Sequence, residues 1–213
     1  MGGMPVPEGD RETTTLLERV AHGDREAFGA LLDRQRPALL RMVRLRLDPR
    51  VRGRVGESDV VQEAALEAVQ RLDEYLRDPR LPLLLWLRLI TAQRLAMIHR
   101  RHRAVKARDV RRDVPLHGLG RPGVTSAALA EAVAASQTSP SEAAERKEMR
   151  TRLLGALDSM DPLDREVISL RHFEQLGNAD VARELGLTES AASKRYVRAF
   201  RRLKGILDGG TRG

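Results

Sequence analysis

The chain of 213 residues contains no cysteine, which excludes disulfides, thiol catalysis and cysteine-based zinc sites. Aromatic side chains are scarce: one Trp, two Tyr and three Phe, 3% of the sequence. So few rings cannot build the broad stacking platform that several single-strand and RNA binders use. Long apolar runs are missing as well. The most apolar stretch, Leu81 to Ile90, is interrupted by Pro82 and Arg88 and falls short of the ~20 residues that span a bilayer. Met1 to Pro7 hold no basic segment followed by an apolar core, so no secretory signal is read there and a cytoplasmic protein without membrane insertion is expected. No GxxxxGK, GxSxG or HExxH motif occurs, and no carboxylates pair in a catalytic pattern. His99 and His102 stand three apart in a basic segment, but no third ligand lies nearby, so no metal site is expected. The chain reads as non-enzymatic, with no cofactor.

Charge is what the sequence has in quantity. There are 38 Lys and Arg against 30 Asp and Glu, a net charge of +8. The excess is concentrated. Residues 94–112 carry Arg94, Arg100, Arg101, Arg103, Lys106, Arg108, Arg111 and Arg112 against Asp109 alone, a local charge of +7. Residues 194–204 carry Lys194, Arg195, Arg198, Arg201, Arg202 and Lys204 with no acid, a local charge of +6. The rest of the chain is left with −5. One such run alone is often a solvated helix face. Two, about 90 residues apart, fit two contact points on one polyanion.

Helical period and helical punctuation fill the chain, and no convincing alternating strand is found. A short helix over 13–22 stops at Gly23, and Asp24 caps a second whose apolar positions run from Phe28 to Leu47, with Pro37 inside it as a potential kink. A third helix is expected over 57–75, with Ser58 as cap and Val60, Val61, Ala64, Leu66, Val69 and Leu72 as its apolar positions. After the turn Asp78–Pro82, a longer helix runs from 83 past 100 and becomes basic in its second half. Trp86, on its apolar run, reads as core in preference to a base-stacking wedge. Residues 114–138 are rich in Pro, Gly, Ala and Ser and read as an interdomain linker with room for a short Ala-rich helix around 126–135. Ser139-Pro140-Ser141-Glu142 fits a capping box that opens a helix to about 158, and Asp161-Pro162 opens another to about 174.

Asn178 to Leu203 carry the strongest local signal. A short helix capped by Asn178 ends at Leu185-Gly186-Leu187, and a new helix starts at Thr188. The small Ala182 allows two helices to cross closely, and Gly186 makes the tight turn, the pattern of a helix-turn-helix whose second helix enters the major groove. On that second helix Ala192, Tyr196, Ala199, Leu203 and Leu207 share the core side. Ser190, Ser193, Lys194, Arg195, Val197, Arg198 and Arg201 are the candidates to meet base edges and phosphates. The bland alternative is a helical hairpin with a basic surface.

Glu57-Ser58-Asp59-Val60-Val61-Gln62-Glu63 resembles the Asp-Val-Val-Gln-Glu signature of region 2 in bacterial RNA polymerase sigma factors. Leu85 to Leu95 resembles the promoter-reading helix that follows it, and Asp161 to Val167 with the helix-turn-helix resembles region 4. Order and spacing are similar to the extracytoplasmic-function (ECF) group, over about residues 14–112 and 140–207, and details such as Arg-His-Phe-Glu-Gln at 171–175 look like planctomycete members. The resemblance implies an all-α fold of two helical domains, a region 2 bundle and a region 4 helix-turn-helix, joined by a flexible linker. The expected boundaries are a disordered 1–12, a region 2-like domain over 13–113, a linker over 114–138, a region 4-like domain over 139–207 and a disordered tail over 208–213.

The resemblance also implies partners: core RNA polymerase through its β′ coiled coil and β flap, promoter DNA, and an anti-sigma factor or other regulator. Carried residue by residue, it implies polymerase contacts at Asp59, Val60, Gln62 and Glu63, with the neighbouring apolar residues turned inward. It implies minus-10 contacts at Arg88, Gln93, Arg94, Arg100, Arg101 and Arg103, and minus-35 contacts on the helix after Thr188. Many members have Asn where this chain has Gln93, and often an aromatic where it has Leu83. The rival reading is a conventional helix-turn-helix regulator without sigma activity, whose N-terminal half senses or dimerises. A further one is a basic protein that binds RNA or membranes non-specifically.

Overall fold

The structure is a computed structural model that describes residues 8–105, 123–136 and 143–209. Among the described residues every regular element is helical: α1 (Glu8–Ala21), α2 (Arg25–Arg46), α3 (Glu57–Gln70), α4 (Leu72–Arg77), α5 (Leu83–Val105), α6 (Ser126–Ser136), α7 (Ala143–Asp158), α8 (Pro162–Ile168), a π-helical segment Ser169–Phe173, α9 (Asn178–Leu185) and α10 (Glu189–Gly209). None of these helices is long and apolar enough to cross a membrane.

The N-terminal bundle is built by α1–α5. The apolar face of α2 (Phe28, Leu31, Leu39, Met42, Val43) meets Val60, Val61, Ala64 and Ala68 of α3 and Leu87, Ile90 and Leu95 of α5 in one core. Each fully buried aliphatic side chain contributes roughly 1.5–3 kcal/mol. Trp86 belongs to this core, 8% exposed and stacked on Tyr75 with ring centroids 4.4 Å apart. Asp24 caps α2 as expected, accepting from the Ala27 N–H at 3.1 Å. Helix α2 runs through Pro37 without interruption. At α3 the cap is Gly56 in place of Ser58, because the Asp59 carboxylate reaches back to the Gly56 N–H (3.1 Å). The single helix expected over 57–75 breaks at Arg71 into α3 and α4. Helix α1 begins at Glu8, so part of the N-terminal stretch expected to be disordered is helical.

The C-terminal half has two further cores. Leu129, Ala130 and Val133 of α6 pack with Leu153 and Leu157 of α7, Ile168 of α8 and Ala199 and Leu203 of α10. Residues 126–136, read from sequence as part of a tether, are therefore a structural helix whose apolar face is buried. Val167, Leu170, Leu176, Val181, Ala182 and Ala192 form the other core. The capping box at 139–142 lies outside the described residues. Asp161 does cap α8, accepting from the Leu163 N–H at 2.7 Å, with Pro162 at the first helical position.

The two halves are joined by more than chain. Leu45 of α2 is buried in the core around α6 and α7, and Leu85 of α5 in the core of the helix-turn-helix. Between these plugs lies a buried ionic network. Arg46 pairs with Glu166 and Glu174, and Arg88 pairs with Glu174 (2.7 Å) and Glu184 (2.7 Å). Ser169 Oγ donates to Glu174 Oε1 at 2.8 Å, and the Val124 N–H donates to Glu166 Oε2 at 3.0 Å. The two guanidinium groups hold the Glu174 carboxyl at about 2, against an opposing desolvation penalty. Both arginines are themselves pushed above their ordinary value by the carboxylates around them, although burial works the other way.

Candidate nucleic-acid and polymerase interfaces

The helix-turn-helix is built as its sequence implies. Helix α9 ends at Gly186, which adopts the left-handed conformation (φ 66°) that glycine tolerates without a Cβ clash. Thr188 Oγ1 accepts from the Ala191 N–H (3.2 Å) and starts α10. Asn178 has a different role from the one expected: Gly177 is the N-cap of α9, and Asn178 Nδ2 donates across the turn to the Glu189 carbonyl at 2.9 Å, tying the two helices together. Ala192, Ala199 and Leu203 are buried as expected, which turns the opposite side of α10 to solvent.

On that free side Ser190, Ser193, Lys194, Val197, Arg198 and Arg201 are all exposed. Ser193, Lys194, Val197, Arg198 and Arg201 line one shallow surface hollow. Val197 is 40% exposed, an apolar side chain set among basic and hydroxyl ones. Arg195 departs from the expectation: it is drawn back to Asp164 at the start of α8 (2.6 Å), with Asp161 at 3.8 Å. Arg198 touches the same carboxylate at 3.2 Å, but its side chain stays 66% exposed.

The candidate minus-10 residues are distributed differently. Arg100 and Arg101 are exposed on the last turns of α5. Arg103 stands on the same stretch of helix, and its side chain lies outside the described residues. Gln93 is exposed, and its Oε1 accepts from Arg71 Nη1 at 3.4 Å. Arg94 is held by Glu63 (3.5 Å) and Glu67 (3.3 Å) of α3. Arg88 is the correction. Expected as a phosphate contact, it is 0% exposed and closed off by Glu174 and Glu184 from the other half. In this arrangement it reaches no phosphate. Leu83, at the start of α5, is buried.

The candidate polymerase face lies on α3. Gln62 and Glu63 are exposed, and Asp59 is exposed while its carboxylate closes the helix start. Val60 is 0% exposed and belongs to the bundle core, so it cannot be a contact. The apolar residues of this helix are not all turned inward. Leu66 is 59% exposed and Val69 52% exposed, the two most exposed large hydrophobic side chains among the described residues. Helical spacing sets Gln62, Leu66 and Val69 along one stripe. Sequence reasoning misses this stripe because both residues fit the apolar count of an ordinary amphipathic helix. A signal against that fit is nonetheless present, since Val60, Val61, Ala64 and Ala68 already make a complete inward face.

Comparisons with known proteins bear on the whole arrangement. Residues 150–203 match the family described as Sigma-70, region 4. The ECF RNA polymerase sigma factor SigD of Mycobacterium tuberculosis is 28% identical over 197 residues, which cover 92% of this chain and 84% of that protein. The RNA polymerase sigma factor CnrH of Cupriavidus metallidurans is 28% identical over 193 residues, 91% of this chain and 93% of that protein. A solved structure of CnrH in complex with the cytosolic domain of CnrY superposes with a TM-score of 0.53 at 25% identity, covering 93% of this chain and 98% of that one. With the region 4 match lying on α7–α10 and the likeness to these relatives extending back through α2–α5, the chain is similar along most of its length to ECF RNA polymerase sigma factors.

Proposed function

We propose that the N-terminal bundle docks on core RNA polymerase through the outer stripe of α3 and handles the minus-10 element with α5, while α10 reads the minus-35 element as duplex. The observation that carries this division is the pairing of two outward-facing surfaces on one chain. Gln62, Glu63, Leu66 and Val69 offer a mixed polar and apolar strip suited to a partner helix. Ser193, Lys194, Val197, Arg198 and Arg201 offer short, long and apolar side chains suited to a major groove. On the polymerase strip Gln62 and Glu63 supply hydrogen bonding and charge, and Leu66 and Val69 supply the area that drives association. Val60 supports the strip from beneath. On α5, Gln93, Arg100 and Arg101 face the strand, Arg103 is a further candidate contact, and Arg94 joins them once Glu63 turns to the polymerase. Arg88 has no part until the two halves separate.

The polymerase supplies the chemistry in this reading, so the chain needs no catalytic group, metal or cofactor of its own, and it acts in the cytoplasm. A regulator that binds the protein is a natural partner; the solved CnrH structure is a complex with the cytosolic domain of CnrY. Run-off transcription with core enzyme tests the reading: the full chain should direct initiation at its own promoters, and no promoter-specific transcript from any of them would refute it.

A further inference from the structure

We propose a further DNA-binding surface in the N-terminal bundle: the turn between α2 and α3, which with Arg100 and Arg101 holds the phosphate backbone of duplex DNA. The inference rests on the sigma-factor reading above and extends the α5 contacts onto the α2–α3 turn, which that reading leaves unassigned. The turn reads Asp48-Pro49-Arg50-Val51-Arg52-Gly53-Arg54-Val55-Gly56, three arginines without an acid among residues 50–54. Alternation separates the two kinds of side chain. Val51 is 3% exposed and sits in the bundle core with Val55 packed against it, while Arg50, Arg52 and Arg54 are exposed.

The turn is a folded element. The Val51 N–H donates to the Asp48 carbonyl (2.8 Å), and the Arg54 and Val55 N–H groups donate to the Val51 carbonyl (2.9 and 3.1 Å). Asp48 spends its own carboxylate within the turn, accepting from the Arg50 N–H at 2.8 Å. The nearby acid Glu57 is neutralised by Arg44 at 2.7 Å, and Arg52 Nη2 donates to the Arg44 carbonyl at 2.6 Å. Among the described residues no carboxylate pairs with Arg50, Arg54, Arg100 or Arg101.

Two observations set this turn beside the basic end of α5. The Asp48 N–H donates to His99 Nε2 at 3.3 Å, one residue before Arg100. Val51 and Leu47 also share a core with Leu95, and Ile98 packs on that core. Five arginines from two elements thus stand outward around one buried seam. Arginines presented on a rigid turn, with neighbouring acids already engaged, suit an anionic backbone and carry no base readout. Duplex DNA is the polyanion this protein already meets on α10, and the extra contacts would add sequence-independent affinity.

The test is duplex binding by the full chain, measured by fluorescence anisotropy on a mixed-sequence DNA duplex across a KCl series. Each phosphate contact contributes about 0.9 to the slope of log affinity against log salt. The triple variant Arg50→Ala/Arg52→Ala/Arg54→Ala should lower that slope by roughly two to three. The matching triple Lys variant should restore most of it, because a point charge suffices for phosphate. All three side chains are exposed, and the Arg52 hydrogen bond to the Arg44 carbonyl is at the surface, so thermal unfolding should shift only slightly and certifies the fold. An unchanged slope in the Ala variant, or no duplex binding by the wild type, overturns the proposal. So does a loss of core-polymerase binding at unchanged slope, which makes the turn a protein contact. Failure of the wild type to compete for core polymerase strikes the sigma-factor reading alone, since the slope comparison still decides the turn.

Discussion

Replacing Glu174 by Gln installs, at nearly constant shape, the protonated form of the carboxyl that ties Arg46 and Arg88 to the C-terminal half. The size of the effect follows from the site. Glu174 is held at about 2 against an ordinary value of 4.5, a difference worth about 3 kcal/mol in favour of the ionised, docked arrangement. Breaking a buried ion pair by removing one partner costs a similar ~3–5 kcal/mol. Because the partners belong to two halves with cores of their own, the molecule can relieve this cost by separating the halves and hydrating the charges. Glu174→Gln should therefore shift the balance towards open forms on the order of a hundredfold, while the apolar core of the N-terminal bundle stays intact.

Since the chain has no cysteine, Asp73→Cys and Ala179→Cys on exposed positions of α4 and α9 give one donor and one acceptor label for single-molecule energy transfer. The variant should show a growing low-transfer population, with helical circular dichroism retained. Acid should act in the same direction on the wild type. The docked value lies below the ordinary one, so the stabilisation is complete above about pH 4.5 and is lost as pH falls towards 2. Glu174→Gln should show a weaker acid response, since only the Arg46–Glu166 and Arg88–Glu184 pairs remain to be broken. Equal transfer distributions in both proteins at neutral pH would refute the claim that this network holds the halves together.

Leu66→Lys and Val69→Lys should change stability by less than about 0.5 kcal/mol, because both side chains are already exposed, yet should weaken binding to core polymerase in a competition pull-down. Lys194→Ala and Arg198→Ala should each lower affinity for a minus-35 duplex and reduce its salt slope by about one for every phosphate left unneutralised, without altering polymerase binding. Trp86→Ala should cost roughly 3–5 kcal/mol in chemical denaturation, as expected when an aromatic ring is deleted from a core, since it removes the ring stacked on Tyr75.

The helix-turn-helix is legible because its determinants are local. Gly186 has the one conformation that ends α9, Thr188 starts α10, and the helical spacing of Ala192, Ala199 and Leu203 sets the buried side and so the exposed one. The Asp161 cap and the concentration of positive charge on α5 and α10 are local in the same way. The signature at 59–63 points to a helix with an exposed polar face, although it puts Val60 on the wrong side and leaves Leu66 and Val69 unnoticed. Which apolar residues of α3 face outward depends on how much of its circumference α2 and α5 cover, and the inward set Val60, Val61, Ala64 and Ala68 is the one trace of that within α3 itself.

The sequence by itself determined the helical architecture, the turn chemistry of the DNA-reading unit, the two basic segments and the family resemblance, since each rests on residues within a few positions of one another. Tertiary structure decided the rest. Arg88 looks like any basic residue on a DNA-facing helix, and only folding brings it to Glu174 and Glu184, 86 and 96 positions away. Arg46 is likewise committed to Glu166 and Glu174, 120 and 128 positions away. Residues 126–136 became a core helix because Leu129 and Val133 found apolar partners on α7. Buried charge needs opposite charge within hydrogen-bonding reach, and no pattern of neighbours along the chain reveals where that charge will come from.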